Sequence, residues 1–349
     1  MRLCLVPRST PKYGQDYRQE ESIRCLDLKP WGSSETRSYP RPEWGKVQLI
    51  ISFNSEDTAD AEFVRGAPMN IPVVVHHQLR RNYLCPDEWE TSCQTLKRAT
   101  LVVVPAAFLG NELGVEASRI RVVSNGADSY VFRPRSDAER ETWREELRIP
   151  KESLVAGFIG SPTTAKGGQI IRQLATRMPE GWKMAICSKD SPPPWICGLH
   201  DVVFCQQNTD QRNRHPTPLF DVLLSLSLCE VAPMVVVEAL LSGVQVVATQ
   251  STPYLEQVRS IVPGGVVGTV PLPLHVCPHS RKQLTLTDDD AMKCADSVRS
   301  QLVAVTAFNS AKRAMLAGVA VRAGLTSEAM LTGFKAVYDE VASSEENST

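Results

Sequence analysis

Two glutamates stand eight residues apart in the apolar stretch CEVAPMVVVEALLSG, which ends at Gly243. Proline suits the first position of a helix and glycine suits the residue just past its end, so the stretch predicts a helix from Pro233 to Ser242. Glu230 then lies on a strand-to-helix turn, and Glu238 lies roughly 7 to 8 Å along the helix axis at about 1.5 Å per residue. One carboxylate is therefore expected at the mouth of the turn and the other further along the helix.

The free amides at the start of this predicted helix lie between the two carboxylates. Unpaired N–H groups and the helix dipole attract phosphate, and ligands of open α/β sheets bind beyond the carboxyl ends of the strands. A central diphosphate with a hydroxyl-rich sugar at one end and a ribose at the other matches this order of groups, which is that of a nucleotide sugar. The alternative interpretation is structural, because a glutamate near a helix start is favourable without any ligand.

Short β-branched runs alternate with amphipathic stretches along most of the chain, which is typical of parallel sheets covered by helices. Several runs are apolar throughout, as expected of strands buried on both faces. The sequence therefore predicts an α/β protein of two doubly wound, Rossmann-like parallel-sheet domains with a C-terminal helical segment. The predicted strands are VQLIIS (47–52), PVVVHH (72–77), TLVVV (100–104), IRVVS (120–124), LVAGFIG (154–160), KMAICS (183–188), DVVFC (201–205), DVLLSL (221–226) and VQVVAT (244–249).

The strand pattern breaks near NGADSYVFRPRSDAERETWREELRIPKES, where a loop leads to a charged helix. We interpret this break as the junction between two doubly wound domains, residues 1–125 and residues 126–325. The acids of DDDAMKCADSVRSQLVAVTAF begin a helical region, and Thr326 is expected to cap a last helix. This helix belongs to a C-terminal segment, residues 326–349, that is expected to pack back towards the N-terminal domain. Its polar tail SSEENST is expected to be frayed. No element is predicted for residues 9–43.

The composition is that of a soluble globular protein, with 42% hydrophobic and 22% charged residues in a chain of 349. Lysine and arginine number 38 against 39 acids, and a net charge of -1 gives no electrostatic argument for nucleic acid. No apolar run approaches the roughly 18 to 20 residues of a membrane helix, and the apolar part of the start MRLCLVPRST is too short for a signal peptide. We therefore expect a cytoplasmic protein.

Metal binding is not expected from the cysteines and histidines. The ten cysteines, among them Cys187 and Cys205, are scattered without a compact framework and are expected to be reduced thiols. His275, Cys277 and His279 alternate, but three adjacent ligands without a distant fourth match structural zinc poorly. A polar loop is predicted there, and no metal or other cofactor is expected.

The stretch around the two glutamates resembles the donor-binding region of retaining glycosyltransferases of family four, which have the GT-B fold. Their pattern is a glutamate, seven residues, a second glutamate, a small-residue helix end, a glycine and a strand, which reads here as Glu230, Glu238 and ALLSGVQVVAT. SNGADSYVFRP (124–134) is similar to the interdomain segment of that family, and GFIGSPTTAKGGQII (157–171) to its strand, glycine turn and Lys-Gly. STPYLEQV (251–258) resembles the loop and glutamate that follow. The resemblance therefore implies a GT-B-like fold, with a shortened N-terminal acceptor-side domain over residues 1–125 and a C-terminal donor-binding domain over residues 126–325.

The resemblance implies a role for individual residues. Glu230 would contact hydroxyls of the donor sugar, Glu238 would accept hydrogen bonds from the ribose, and Lys166 would place its ammonium on the diphosphate. The histidine near the reacting sugar has two candidates, His76 and His77, and a structural role for them is the alternative. The catalytic set is then Glu230, Lys166, His76 and His77, and the donor-binding set is Gly160, Ser161, Lys166, Pro233, Met234, Val235 and Glu238.

Two features depart from the family pattern. Ser161 stands where the family commonly has an arginine, five residues before Lys166, so a bidentate cation at the departing phosphate is missing. The N-terminal domain is short, and VPRSTPKYGQDY has only Gly14 in place of a glycine-rich loop.

The sequence raises three candidate functions. The first is a metal-independent hexosyltransferase of carbohydrate biosynthesis, which moves a sugar with retention from a UDP- or GDP-sugar to a glycan, lipid-linked or small-molecule hydroxyl. The second is a catalytically weak or inactive relative that binds a nucleotide sugar and acts as a partner subunit. The third, a sugar-nucleotide epimerase, lacks the acid and base set it would need. Arg80 and Arg81 could meet an anionic acceptor or a membrane surface, although a solvated pair is the favoured interpretation.

Overall fold

The computed structural model of the chain describes residues 3–5, 49–52, 58–79, 86–206, 215–273 and 286–346. The chain divides into two compact units, unit 1 with Met1–Ser124 and Glu328–Thr349, and unit 2 with Asn125–Ser327. Each unit is built on one parallel sheet. The predicted α/β class is confirmed, and each predicted strand is a strand with limits within two residues of those expected.

Unit 1 has a five-stranded sheet whose strands lie in chain order, β1-β2-β3-β4-β5. Right-handed crossovers between strands in this order bring the connecting helices to one face of the sheet. The strands are β1 Leu3–Leu5, β2 Leu49–Ser52, β3 Val73–His76, β4 Leu101–Val104 and β5 Ile120–Val122, and the helices are α1 Thr58–Gly66, α2 Pro86–Arg98, α3 Ala107–Glu112 and α10 Ser327–Glu346.

Helix α10 supplies an apolar face to a core shared with the unit 1 sheet. Alternate strand residues such as Leu49 and Ile51 point to one face, because successive strand side chains alternate. Phe334 and Tyr338, four residues apart, lie on one side of the helix and pack on that face. The rest of the cluster is Val74, Leu101, Val103, Met330, Leu331, Val337 and Val341.

Unit 2 has a six-stranded sheet in the order β11-β10-β9-β6-β7-β8. Strands β9 and β10 are buried along their whole length, which explains why their sequences are apolar rather than alternating. Strand β11, which contains a glycine, was not predicted. The strands are β6 Leu154–Ile159, β7 Trp182–Ser188, β8 Val202–Gln206, β9 Val222–Ser225, β10 Gln245–Thr249 and β11 Val267–Val270, and the helices are α4 Asp137–Glu146, α5 Gly168–Ala175, α6 Met234–Leu241, α7 Tyr254–Ile261, α8 Asp288–Ala304 and α9 Ser310–Arg322.

Helices α4, α8 and α9 each begin with a side-chain cap. The Thr287 hydroxyl accepts the Asp290 N–H at 3.1 Å at the start of α8. Helix α10 begins directly after Thr326, as predicted. It continues to Glu346, so the helix includes the first four residues of the tail SSEENST.

A buried ion cluster joins helices α4 and α9 to the start of β9. Asp221 accepts hydrogen bonds from Arg140 at 2.9 Å, Arg144 at 2.7 Å and Arg313 at 2.8 Å. Its second oxygen also accepts the Val155 N–H at 2.9 Å. We call these four charged residues the Asp221 cluster. One carboxylate thus holds three guanidinium groups that come from two helices.

None of the helices in the described part of the chain is both long enough and apolar enough to cross a membrane.

Candidate functional site

The switch point of the unit 2 sheet lies between β6 and β9. These strands are neighbours although two others separate them in the chain, with β7 and β8 on one side and β10 and β11 on the other. Loops that leave the carboxyl ends of two such strands run in opposite directions, which leaves a crevice where ligands of doubly wound sheets bind. The loop after β6 carries Gly160, Ser161 and Lys166, and the loop after β9 carries Glu230.

Lys166 and Glu230 form an ion pair at this crevice. The two loops are also joined by a backbone hydrogen bond, in which the Leu228 N–H donates to the Ala165 carbonyl at 2.9 Å. Gly167 permits this close approach, since it has a φ of 77° and a Cβ there would lie 2.0 Å from the Leu226 carbonyl oxygen. The Glu230 side chain is 16% exposed and that of Lys166 is 36% exposed, so neither side chain is fully buried.

Helix α6 begins one residue later than predicted. It spans Met234–Leu241, and Pro233 is the N-cap with φ -63° and ψ 119°, so the prediction that Pro233 is the first helical residue was wrong. The φ fixed by proline is compatible with both positions, but this ψ is extended rather than helical. Gly243 follows the helix end with a φ of 69°, as its position predicted. No side chain caps the N-terminus of α6 within the described chain.

Glu238 lies on helix α6 and is half-buried. Burial raises the pKa of its carboxyl group from 4.5 to about 7. No side-chain hydrogen bond to Glu238 is found among the residues that the structure describes. The second carboxylate of the motif is therefore partly protonated near neutral pH.

This raised pKa gives a pH-dependent stability. Between about pH 4.5 and about pH 7 the folded chain keeps a proton at Glu238 that the unfolded chain releases, so the free energy of unfolding falls as pH rises through this window. We expect Glu238→Gln to remove this contribution and to gain stability relative to the wild type at about pH 8, but not at about pH 5. Urea denaturation of both proteins at the two pH values measures it. If the free energies of unfolding of the two proteins differed by the same amount at both pH values, the raised pKa of Glu238 would be contradicted.

Ser161 contacts a carboxylate that sequence reasoning missed. Its hydroxyl donates to Asp190, which lies just after β7. The Gly160 N–H donates to the Cys187 carbonyl at 2.9 Å, which holds the start of this loop against the end of β7. The position at which the family resemblance leads one to expect an arginine therefore has a hydroxyl paired with an acid. The signal in the sequence was that Asp190 follows a predicted strand at the same edge of the sheet.

His76 and His77 lie in unit 1, at the end of β3, and both are 1% exposed. His76 Nε2 and the Tyr338 hydroxyl are hydrogen-bonded at 2.7 Å, and the His76 ring packs edge-on against Phe334 at 4.6 Å between centroids. His77 Nε2 donates to the Leu79 carbonyl at 2.6 Å, and burial lowers the pKa of His77 to about 4. His77 is therefore neutral at pH 7, and His76 is packed into the core beneath α10.

The remaining candidates fall partly outside the described chain. No group of three or more His, Cys, Asp or Glu side chains that could hold a metal ion is found in the described ranges. His275, Cys277, His279, Arg80 and Arg81 lie outside the described residues.

Sequence comparison finds relatives that are glycosyltransferases by name. EpsF of Bacillus subtilis is 25% identical over 204 residues, which cover 52% of each chain. D-inositol 3-phosphate glycosyltransferase of Corynebacterium efficiens is 28% identical over 160 residues, which cover 41% of this chain and 38% of that protein. The chain thus spans about half the length or less of the curated relatives it matches. No protein-family model matches the sequence.

Comparison with solved structures extends over the whole chain. A glycosyltransferase from Rickettsia africae has a TM-score of 0.70 at 14% identity and covers 97% of both chains. HepE of Anabaena, solved in complex with UDP and glucose, has a TM-score of 0.65 at 17% identity and covers 98% of this chain and 99% of that one.

These likenesses show that the chain has the GT-B fold of two parallel-sheet α/β units. The sequence relatives are glycosyltransferases by name, and the motif around Glu230 and the fold resemble those of the family-four glycosyltransferases.

Proposed function

We propose that the chain is a retaining glycosyltransferase that transfers a sugar from a nucleoside diphosphate sugar to a hydroxyl acceptor. The observation that carries the proposal is the Lys166–Glu230 pair, which lies at the switch point of the unit 2 sheet. It joins a cation and an anion in the crevice where doubly wound sheets bind nucleotides. The GT-B fold and the glycosyltransferase relatives support this proposal.

The ion pair prepares the site for a ligand that is anionic at its centre and rich in hydroxyl groups at one end. Donor binding exchanges the partners, so that the Lys166 ammonium moves to the diphosphate and the Glu230 carboxylate accepts hydrogen bonds from the sugar. The N–H groups of Met234 and Val235 at the start of α6 add donors to the diphosphate, beside Pro233, which has no N–H of its own. Glu238, further along α6, takes the ribose hydroxyls.

The reaction is a displacement on one face of the sugar. The bond from the anomeric carbon to the β-phosphate oxygen breaks, and the acceptor oxygen bonds to the same face, which retains the configuration. A diphosphate oxygen takes the acceptor proton. Lys166 and the α6 amides stabilise the charge that develops on the leaving group, and no metal takes part in this scheme. The acceptor is a glycan, a lipid-linked sugar or a small molecule with a free hydroxyl.

UDP-glucose is the first donor to test. HepE was solved with UDP and glucose, and a structure described as trehalose-6-phosphate from E. coli was solved with UDP-2-fluoro glucose. A ligand that binds only the folded chain raises its melting temperature, so a thermal-shift screen of UDP-, GDP- and ADP-sugars identifies the nucleotide. Release of nucleoside diphosphate from a labelled donor then measures turnover. No shift with any of these donors would contradict the proposal.

The contact between Ser161 and Asp190 favours a second candidate, an inactive relative that binds the nucleotide sugar and acts as a partner subunit. An acid beside the diphosphate, with no arginine to offset it, opposes the charge of the leaving group. Donor binding without either hydrolysis or transfer would favour this candidate over the transferase.

The variant Ser161→Arg tests the effect of the missing cation. We expect kcat/KM for UDP-glucose to rise about tenfold, because a guanidinium group can pair with Asp190 and still donate to the diphosphate. Initial rates of UDP release measure the effect. Ser161→Gln, which adds length without charge, is the matched control, and an equal change in both variants would show that the charge is not the cause.

A further inference from the structure

The loop before helix α6 is held by side chains from outside it. Thr252 donates its hydroxyl proton to the Val231 carbonyl at 2.6 Å, and Asn125 donates from Nδ2 to the Ala232 carbonyl at 2.8 Å. Thr252 is 6% exposed and Asn125 is 5% exposed, so both hydrogen bonds lie away from water. Two consecutive carbonyls of the loop therefore have fixed directions.

The fixed direction of the Val231 carbonyl also sets the direction of the Ala232 N–H. In a trans peptide the N–H points opposite to the carbonyl of the same plane. The Val231 carbonyl points to Thr252, so the Ala232 N–H points the other way. Within the described chain no acceptor for the Ala232 N–H is found.

An earlier peptide of the same loop has a different pattern. The Ser227 carbonyl accepts from the Thr249 hydroxyl, and the Leu228 N–H of the same peptide donates to the Ala165 carbonyl. Both polar groups of that peptide are satisfied by the protein, whereas only the carbonyl is satisfied in the peptide that joins Val231 to Ala232. Buried N–H groups are nearly always paired, so this amide is suited to a ligand acceptor.

The two donors are themselves well anchored. The Thr252 hydroxyl also accepts the Tyr254 N–H at 3.2 Å at the start of α7, so one hydroxyl connects the first turn of that helix to the loop. Asn125 is the first residue of unit 2, two residues before Ala127, whose N–H and carbonyl bond the Leu325 carbonyl at 3.1 Å and the Ser327 N–H at 2.9 Å. Both donors therefore belong to segments that are hydrogen-bonded to unit 2 elsewhere.

We infer that Thr252 and Asn125 are positioning residues for the diphosphate, and that they act by aiming the Ala232 N–H at one of its oxygens. The inference rests on the proposed function, because it takes the nucleoside diphosphate as the ligand. It adds one amide to the group at the start of α6 and assigns a role to two residues that do not touch the ligand.

The test compares UDP with uridine, which lacks the diphosphate. We expect Thr252→Val, which has nearly the same shape but no hydroxyl, to raise the Kd for UDP about tenfold, the equivalent of about 1.4 kcal/mol, by isothermal titration calorimetry. The Kd for uridine is expected to stay within about twofold. Thr252→Ser retains the hydroxyl and is expected to bind UDP like the wild type. If the hydroxyl had only a structural role, its loss would weaken the binding of both UDP and uridine, or of neither.

Controls separate this inference from the proposed function. Thr95→Val removes another buried threonine hydroxyl, one that bonds the Thr91 carbonyl in helix α2 of unit 1, and is expected to leave the UDP affinity unchanged. If Thr252→Val does not fold, Asn125→Ala is measured against the wild type in the same way. An equal loss of affinity for UDP and for uridine in Thr252→Val would overturn the inference. A Thr252→Ser variant that binds UDP as weakly as Thr252→Val would also overturn it. A wild type that binds none of the UDP-, GDP- and ADP-sugars would instead overturn the proposed function, and if GDP or ADP is the nucleotide that binds, that diphosphate and its nucleoside replace UDP and uridine in the test.

Discussion

We expect Lys166→Met to lower kcat/KM for UDP-glucose roughly 100-fold, because it removes a charge-assisted hydrogen bond to a developing negative charge. Methionine retains most of the length of the side chain without the ammonium. The free energy of unfolding is expected to change by less than about 1 kcal/mol, since Lys166 is 36% exposed in its pair with Glu230 and exposed pairs contribute little. Initial rates and urea denaturation measure the two effects.

A double-mutant cycle distinguishes catalysis from a merely structural ion pair. If Lys166 and Glu230 acted only by holding each other, Glu230→Gln combined with Lys166→Met would be no worse than either single variant. In the proposed mechanism they bind different parts of the donor, so the losses are expected to combine to nearly the product of the single losses. Because donor binding breaks the Lys166–Glu230 ion pair, the energy of that pair contributes little to the coupling that the cycle measures.

Lys183→Met is the matched control for Lys166→Met. Lys183 is also paired in unit 2, with Asp201 at 2.7 Å, but it lies at the amino end of β7 rather than at the carboxyl edge of the sheet. Its loss is expected to leave kcat/KM unchanged. If the two lysine variants had the same activity, Lys166 would have no part in catalysis.

The fold was largely predictable because its signals are local. Runs such as VQVVAT are short, apolar and bounded by turn residues, and strands buried on both faces need no more than that. That α6 ends shortly before Gly243 was predictable for the same reason, since few residues other than glycine adopt a φ of 69°. The start of α6 was missed by one residue because the φ of Pro233 does not determine its ψ.

The contacts of the candidate site were less predictable, because they join residues far apart in the chain. Lys166 and Glu230 were singled out by separate motifs, but their pairing depends on β9 lying beside β6 in the sheet, which no local pattern specifies. The same holds for Asp190 beside Ser161. The roles of these residues in donor binding stay predictions.

His76 illustrates the opposite difficulty. Two histidines at the carboxyl end of a strand suggest chemistry, but His76 packs against Phe334 and Tyr338, which follow it by more than 250 residues. A core histidine and a functional one have the same local sequence. The contacts of His76 with helix α10 could therefore not be predicted from that local sequence, and the catalytic roles of His76 and His77 stay predictions.

We expect Asp221→Asn to lower the free energy of unfolding by about 3 to 5 kcal/mol, since it removes the one anion of the Asp221 cluster. Arg313 is 1% exposed, and burial, followed by repulsion from Arg140, lowers the pKa of its guanidinium group to about 10. Without the carboxylate, three buried cations would repel one another with no counter-charge. Urea denaturation at neutral pH measures the loss.

Two further variants show whether charge or shape causes that loss. Arg140→Met removes one of the three cations and relieves their mutual repulsion, so in the Asp221→Asn background we expect it to recover part of the lost stability. Asp201→Asn, in an ion pair whose acid is 53% exposed, is expected to change stability by less than about 1 kcal/mol. Arg140→Met could instead lower the stability of Asp221→Asn further. The packing of the Arg140 side chain would then outweigh the repulsion between the three guanidinium groups. Asp221 would in that case act more as a hydrogen-bond acceptor than as a counter-ion.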